Sequence, residues 1–490
     1  MALSNTVVAI VALYIMMILG IGLYASRYVE TDEDFMLAGK RLGPIFIAGT
    51  VAATEIGGGS SLGVAQQSFN DWGLSAGWYV LTMAVAFIVL AFIAPRLRST
   101  LTTTVSEFFK RRYGTGNHLL TAFVLLLPMI GLTAVQIVAS GIVLSIIVGI
   151  DYQIAVILMG TIAVGYSVVG GLWSVTLTDL AQWIFVIGGV VLTVPFALNA
   201  VGGWNTMTTE LEPWRFSLTQ GIGWRQIISL TVVYITSFSV GQEYIQRYFA
   251  AESDKAAKWG SFGAAITYAL FAFVPAILGL ATLTYQQQGN TIPFVAEYGS
   301  RYVLPGFASV VLPDLLLGVL FGALVSATMS SADSDLVAAS TIVVNDFYEE
   351  YINPDASPEK LGRLTKIVTA VIGVIAIVVA IYNVSVIIDL LLFSFSFRAA
   401  GIFIPYIGSH YWDGGSSVGS FLAIAAGSAV VGLEALGMIS FGAWQEPVIP
   451  GLLLSLICFI GGSYLFPDDA EPAIVGKLFE DSMVETGSDD

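Results

Sequence analysis

Apolar runs of about 20 residues recur from one end of this 490-residue chain to the other. Each is long enough to cross a hydrocarbon core of ~30 Å. No other feature restricts the fold so strongly. In lipid every backbone N–H and C=O must be satisfied within the protein, which leaves helices or a closed barrel. Runs of this length are helices, not the ~10-residue alternating strands of a barrel. Composition agrees, with 56% hydrophobic and 11% charged residues. The expected fold class is an all-α polytopic membrane protein.

Thirteen spans are expected, near 5–25, 43–68, 73–95, 119–146, 153–170, 175–201, 225–247, 260–284, 308–345, 365–383, 385–408, 417–438 and 448–466. The first lacks the basic start and small-residue cleavage site of a signal peptide and is kept as a helix. An odd number puts the termini on opposite sides. One set of connections carries Arg27, Lys40, Arg41, Arg96, Arg98, Lys110, Arg111, Arg112, Arg247, Lys255, Lys258, Lys360, Arg363, Lys366 and Lys477. The other carries Arg215, Arg225 and Arg301. The basic side is cytoplasmic, so the N-terminus is expected outside and the C-terminus inside the cell membrane.

The net charge of −16 gathers partly at residues 30–34 and in an acidic tail over 467–490, read as a solvated cytoplasmic end. Acidic surface would suit a salt-loving host. The basic residues are those of cytoplasmic loops, so nucleic-acid binding is not expected. One cysteine, Cys458, excludes an internal disulfide, and two histidines, His118 and His410, exclude a histidine-rich metal centre. There is no Walker-type phosphate loop and no long soluble segment for a catalytic domain. An enzyme, or a pump with its own nucleotide site, is therefore not expected. No organic cofactor is expected either.

Charges inside spans are costly and mark functional paths. Glu55, Asp333, Asp335, Asp389 and Arg398 lie at such positions, and Asp179 lies nearer the cytoplasmic end of its span. Glu55 precedes Gly57, Gly58 and Gly59 in "AATEIGGGSSLG", residues 52–63. Three glycines weaken a helix, and a mid-membrane break frees carbonyl oxygens to bind a small cation. Close helix packing would explain the glycines alone; the carboxylate beside them points to a site. In "ALVSATMSSADSDLVAASTIVVNDFY", residues 323–348, Ala327, Ser330 and Ser331 share one helix face and offer further oxygens. Alternatively, the serines bond to their own preceding carbonyls. Asp333 and Asp335, two apart on one helix, face different ways and make a poor hydrolase dyad.

These segments resemble the sodium:solute symporter family, and further stretches match it in order. They are "TVSEFFKRRYG" (104–114), "GGLWSVTLTDLAQ" (170–182), "QRYFAAESDKAAKWG" (246–260) and "FRAAGIFIPYIGSHYW" (397–412). The resemblance implies a leucine-transporter-like core of two inverted five-helix repeats, 43–201 and 225–408. An extra helix, 5–25, precedes the core and two helices, 417–466, follow it. It implies a sodium site made by Ala53, Ile56, Ala327, Ser330 and Ser331, with Asp179 on the path of sodium release. Glu55 stands where the sodium/proline branch has Asp. Sodium is the implied coupling ion, and the implied activity is symport of a small organic solute by alternating access.

Arg398 stands where that branch has a small residue. It is read either as a clamp on a solute carboxylate, favouring an organic acid or amino acid, or as a buried partner of Glu55, Asp333, Asp335 or Asp389. Gln66, Gln67, Gln242 and Tyr244 are further candidates for solute contact. A sensor or channel that keeps the fold without coupled transport, or a proton-coupled symporter, is the alternative function.

Overall fold

The computed structural model describes residues 3–25, 27, 38–98, 104–382, 387–441 and 447–468. Most of the acidic tail and the acidic stretch 30–34 lie outside the described residues. The described residues form a helical bundle. Ten helical runs are long and apolar enough to cross a membrane, and Pro44–Glu55 and Tyr152–Gly165 are shorter apolar helices.

Three expected spans, 43–68, 153–170 and 225–247, are not among these ten helical runs, for physical reasons. Pro44–Glu55 has 12 residues and ends at a break. Gly223–Phe238 and Gln242–Phe249, with 16 and 8 residues, are separated by a second break, so neither half is long enough to cross alone. The expected spans 153–170 and 175–201 fall within one helical run, Tyr152–Ala200.

The first break follows from sequence. Pro44 opens the helix at a position where its missing N–H costs nothing. The backbone leaves helical geometry at Ile56 (φ −80°, ψ 67°) and Gly57 (φ −131°, ψ −134°). It resumes in wide π-type turns over Gly58–Gly63. The glycines also admit close neighbours: a Cβ on Gly58 would lie 2.5 Å from Ala139 Cβ, and one on Gly59 would lie 2.3 Å from Leu391 Cδ1. Packing and breaking are thus served by the same residues.

Helix Asp314–Thr341 is the central post of the bundle. From Leu317 to Thr341 every residue except Val319 is buried, polar ones included. A helix polar on a buried face must find its partners on neighbouring helices. Those partners, on the first broken helix, on Val175–Ala200 and on Gln242–Phe249, make up the site.

Candidate functional site

Ser331 sits where the first broken helix meets the central post. Its Oγ lies 3.4 Å from the Ala53 carbonyl oxygen and 3.1 Å from that of Ala327. A Cβ on Gly57 would lie 3.1 Å from the same hydroxyl. Ile56 is the residue at which the helical ladder ends. The oxygens of Ala53, Ala327 and Ser331 therefore converge, in a region where Ala53, Ile56 and Ser331 are all buried. Hard oxygens in a dry setting suit an alkali cation.

Ser330, one residue earlier and about 100° round the helix, turns to a different partner. It donates to Asp179 Oδ1, and Thr50, on the first broken helix, donates to Asp179 Oδ2. Arg247 completes this cluster from the second broken helix. Its Nε donates to Thr50 Oγ1 at 2.9 Å, and its Nη2 donates to Ser334 Oγ at 2.7 Å and lies 3.4 Å from Asp179 Oδ2. Its Nη1 donates to the Glu243 carbonyl. Asp179 and Arg247 are both fully buried. Desolvating two charges is tolerated here because each is paired and hydrogen-bonded.

Glu55, at the end of the broken helix, accepts from the Tyr244 hydroxyl at 2.8 Å on Oε1, while its carbonyl accepts from Ser60 Oγ at 2.5 Å. Tyr244 is thus brought to the break, by contact with Glu55. Its ring packs on Phe238 and Phe87, with centroids 4.3 and 5.7 Å away.

Several expectations are corrected. None of the four carboxylates considered for Arg398 is its partner. Its Nη1 and Nη2 donate to Glu243 Oε2 and Oε1 at 2.8 and 2.5 Å, and its Nε donates to Ser237 Oγ at 2.7 Å. Glu243 wins because it lies directly after the second break, facing helix Ile387–Gly408. The fork that would clasp a solute carboxylate is engaged by the protein's own. Asp389 is not at mid-span. It is exposed in the first turn of Ile387–Gly408, where the helix dipole favours a negative charge.

The glutamines do not gather. Gln242 Oε1 accepts from the Val105 N–H at 3.0 Å, beside the basic stretch Lys110–Arg112. Gln66 Nε2 donates to Ser300 Oγ at 3.3 Å, next to Arg301 on the sparsely basic side. Gln67 is half-buried beside it.

The sequence reading also missed residues. Gln136 Oε1 accepts from the Gly58 N–H at 3.1 Å and so caps the broken helix. A lone Gln in the apolar run 119–146 was the available signal. Thr50, Ser334, Glu243 and Arg247 were missed as well. The last two are a charged pair i, i+4 within the span 225–247, a signal that was present.

A family model for the sodium:solute symporter family matches residues 35–427, most of the chain. The chain belongs to the sodium:solute symporter family. Among curated relatives, the symporter is 25% identical to the osmoregulated proline transporter OpuE of Bacillus subtilis over 471 residues, covering 94% of each chain. It is 25% identical to the sodium/sialic acid symporter SiaT of Proteus mirabilis over 463 residues, covering 92% of this chain and 88% of that one. A solved structure of a Na+-coupled sialic acid symporter, in a substrate-bound outward-open state, superposes with a TM-score of 0.78 at 22% identity. It covers 96% of this symporter and 99% of that chain. That likeness establishes the fold.

Proposed function

We propose that this symporter couples the inward flow of sodium to uptake of a small organic solute across the cell membrane by alternating access. The observation that carries the reading is the approach of Ser331 to the Ala53 carbonyl, which places a hydroxyl of the central post against the break of the first helix. Ala53, Ile56, Ala327 and Ser331 are the proposed sodium ligands, with Ser330 and Asp179 beside them on the release path. A cation there would draw the two helices together. It would stabilise one state of the cycle, and solute and sodium would favour each other's binding through that shared state. Glu55 and Tyr244, next to the same break, are the proposed wall of the solute site.

The core is read as two repeats, 43–201 and 225–408. In support, the first helix of each is broken, at Ile56–Gly57 and between Phe238 and Gln242. The solute is proposed to be an amino acid or an organic acid. The relatives named as transporters of proline and of sialic acid, one of each class, support this.

The test is uptake by the purified protein in proteoliposomes, with amino acids and organic acids screened under an inward sodium gradient. Uptake driven by the gradient is expected. Equal uptake in sodium-free buffer would overturn sodium coupling, and a proton gradient substituting for sodium would favour a proton-coupled symporter.

A further inference from the structure

Residues 237–243, which contain the second break, wrap around a guanidinium. Arg398 reaches them from helix Ile387–Gly408. Its Nε donates to Ser237 Oγ at 2.7 Å, before the break, and its Nη1 and Nη2 donate to Glu243 at 2.8 and 2.5 Å, after it. Between these contacts Gly241 passes so near that a Cβ would lie 2.8 Å from Nη2 and 3.0 Å from Cζ. Phe395 holds its ring 5.2 Å from the guanidinium carbon. Arg398 and Glu243 are both fully buried.

A broken helix in a low-dielectric interior has many alternative turn geometries, all with unsatisfied groups. A planar fork bound on both sides of the break selects one of them. The residue after Glu243 is Tyr244, whose hydroxyl donates to Glu55 at 2.8 Å. One bonded chain thus runs from helix Ile387–Gly408, across the second break, to the first.

We propose that Arg398 is a positioning residue that templates the second break and, through Glu243, sets the Tyr244 hydroxyl on Glu55. This rests on the reading that Glu55 and Tyr244 line the solute site. Arg398 does not touch the solute. It acts on it at second hand, and the expected signature is a change in solute KM at saturating sodium.

Single removal of either charge would leave its partner buried and unpaired, and the protein would be destabilised for that reason alone. The test therefore uses the charge-free pair Glu243→Gln/Arg398→Gln, beside Tyr244→Phe, which removes only the last hydroxyl. Each is expected to raise solute KM about tenfold at saturating sodium, with kcat within about twofold. The triple variant is expected to be no worse than either, because the residues act in series. An unchanged KM in the charge-free pair, or a multiplicative effect in the triple variant, overturns the proposal. If the pair does not fold, Ser237→Ala, which removes only the Nε contact, takes its place. It must raise KM and must not add to Tyr244→Phe. Sodium-independent uptake by the unaltered protein would sink the proposed function itself and is scored separately.

Discussion

The Ser331 hydroxyl lies 3.4 Å from the Ala53 carbonyl oxygen, across a sequence separation of 278 residues. Neither residue is remarkable alone. A serine in a membrane helix bonds to its own preceding carbonyl, as Ser331 does to Ala327. What distinguishes this pair is that the second carbonyl belongs to a helix that stops three residues later, at Ile56.

Removing the hydroxyls tests the sodium site. Ser330→Ala/Ser331→Ala is expected to raise the sodium concentration for half-maximal uptake about tenfold or more, equivalent to ~1.4 kcal/mol per decade. Folded yield should fall only modestly, because Asp179 keeps Thr50 and Arg247 when the Ser330 hydroxyl is lost. Sodium dependence of initial uptake rates checks this, and an unchanged half-saturation value would remove Ser331 from the ligands and Ser330 from the release path beside them.

Arg247 is expected to be indispensable for stability. Arg247→Met leaves the Asp179 carboxylate buried with hydroxyl partners only, a loss of about 3–5 kcal/mol. Adding Asp179→Asn to Arg247→Met should recover much of that loss, since the uncompensated charge is then gone. Thermal unfolding of the two variants in detergent, compared with the unaltered protein, reads the difference. Equal destabilisation would show that the geometry of the cluster matters more than its charge.

Gly58 faces Ala139 with no room for a side chain. Gly58→Ala would force the first break away from the helix Thr115–Val148 and weaken the Gly58 N–H to Gln136 bond. A cost of about 1–3 kcal/mol is expected from overpacking, together with loss of sodium-driven uptake. Gly114→Ala is the informative contrast. Its φ of 82° makes it a strained site with open space around it, so stability should fall while sodium affinity stays put.

The expected orientation rests on the basic residues of the connections, fourteen on one side once Arg247, buried in the Asp179 cluster, is left out, and three on the other. In a Cys458→Ala background, Asn290→Cys should react with an impermeant thiol reagent on intact cells. Asp355→Cys should react only after the membrane is opened. Both positions are exposed, so accessibility is set by sidedness and not by burial. The opposite pattern would reverse the topology.

The sequence by itself was enough for the helical membrane fold, the first break and the two segments that approach each other at the proposed sodium site. Those features are local. Apolar length, a run of three glycines and hydroxyls on one helix face act through the backbone of the segment that carries them. It also showed that Arg398 must meet an anion or water, because a guanidinium stays charged.

Which anion it meets was decided by the tertiary structure. Glu243 lies 155 residues away, on a helix whose break has Gly241 as its sole glycine and so gave little local warning. The same holds for Asp179, Thr50, Ser334 and Arg247, which come from four separate helical segments and meet around one buried guanidinium. A buried charge takes the partner that the packing of whole helices brings within hydrogen-bond reach. That packing depends on every helix at once, and no single segment of the sequence records it.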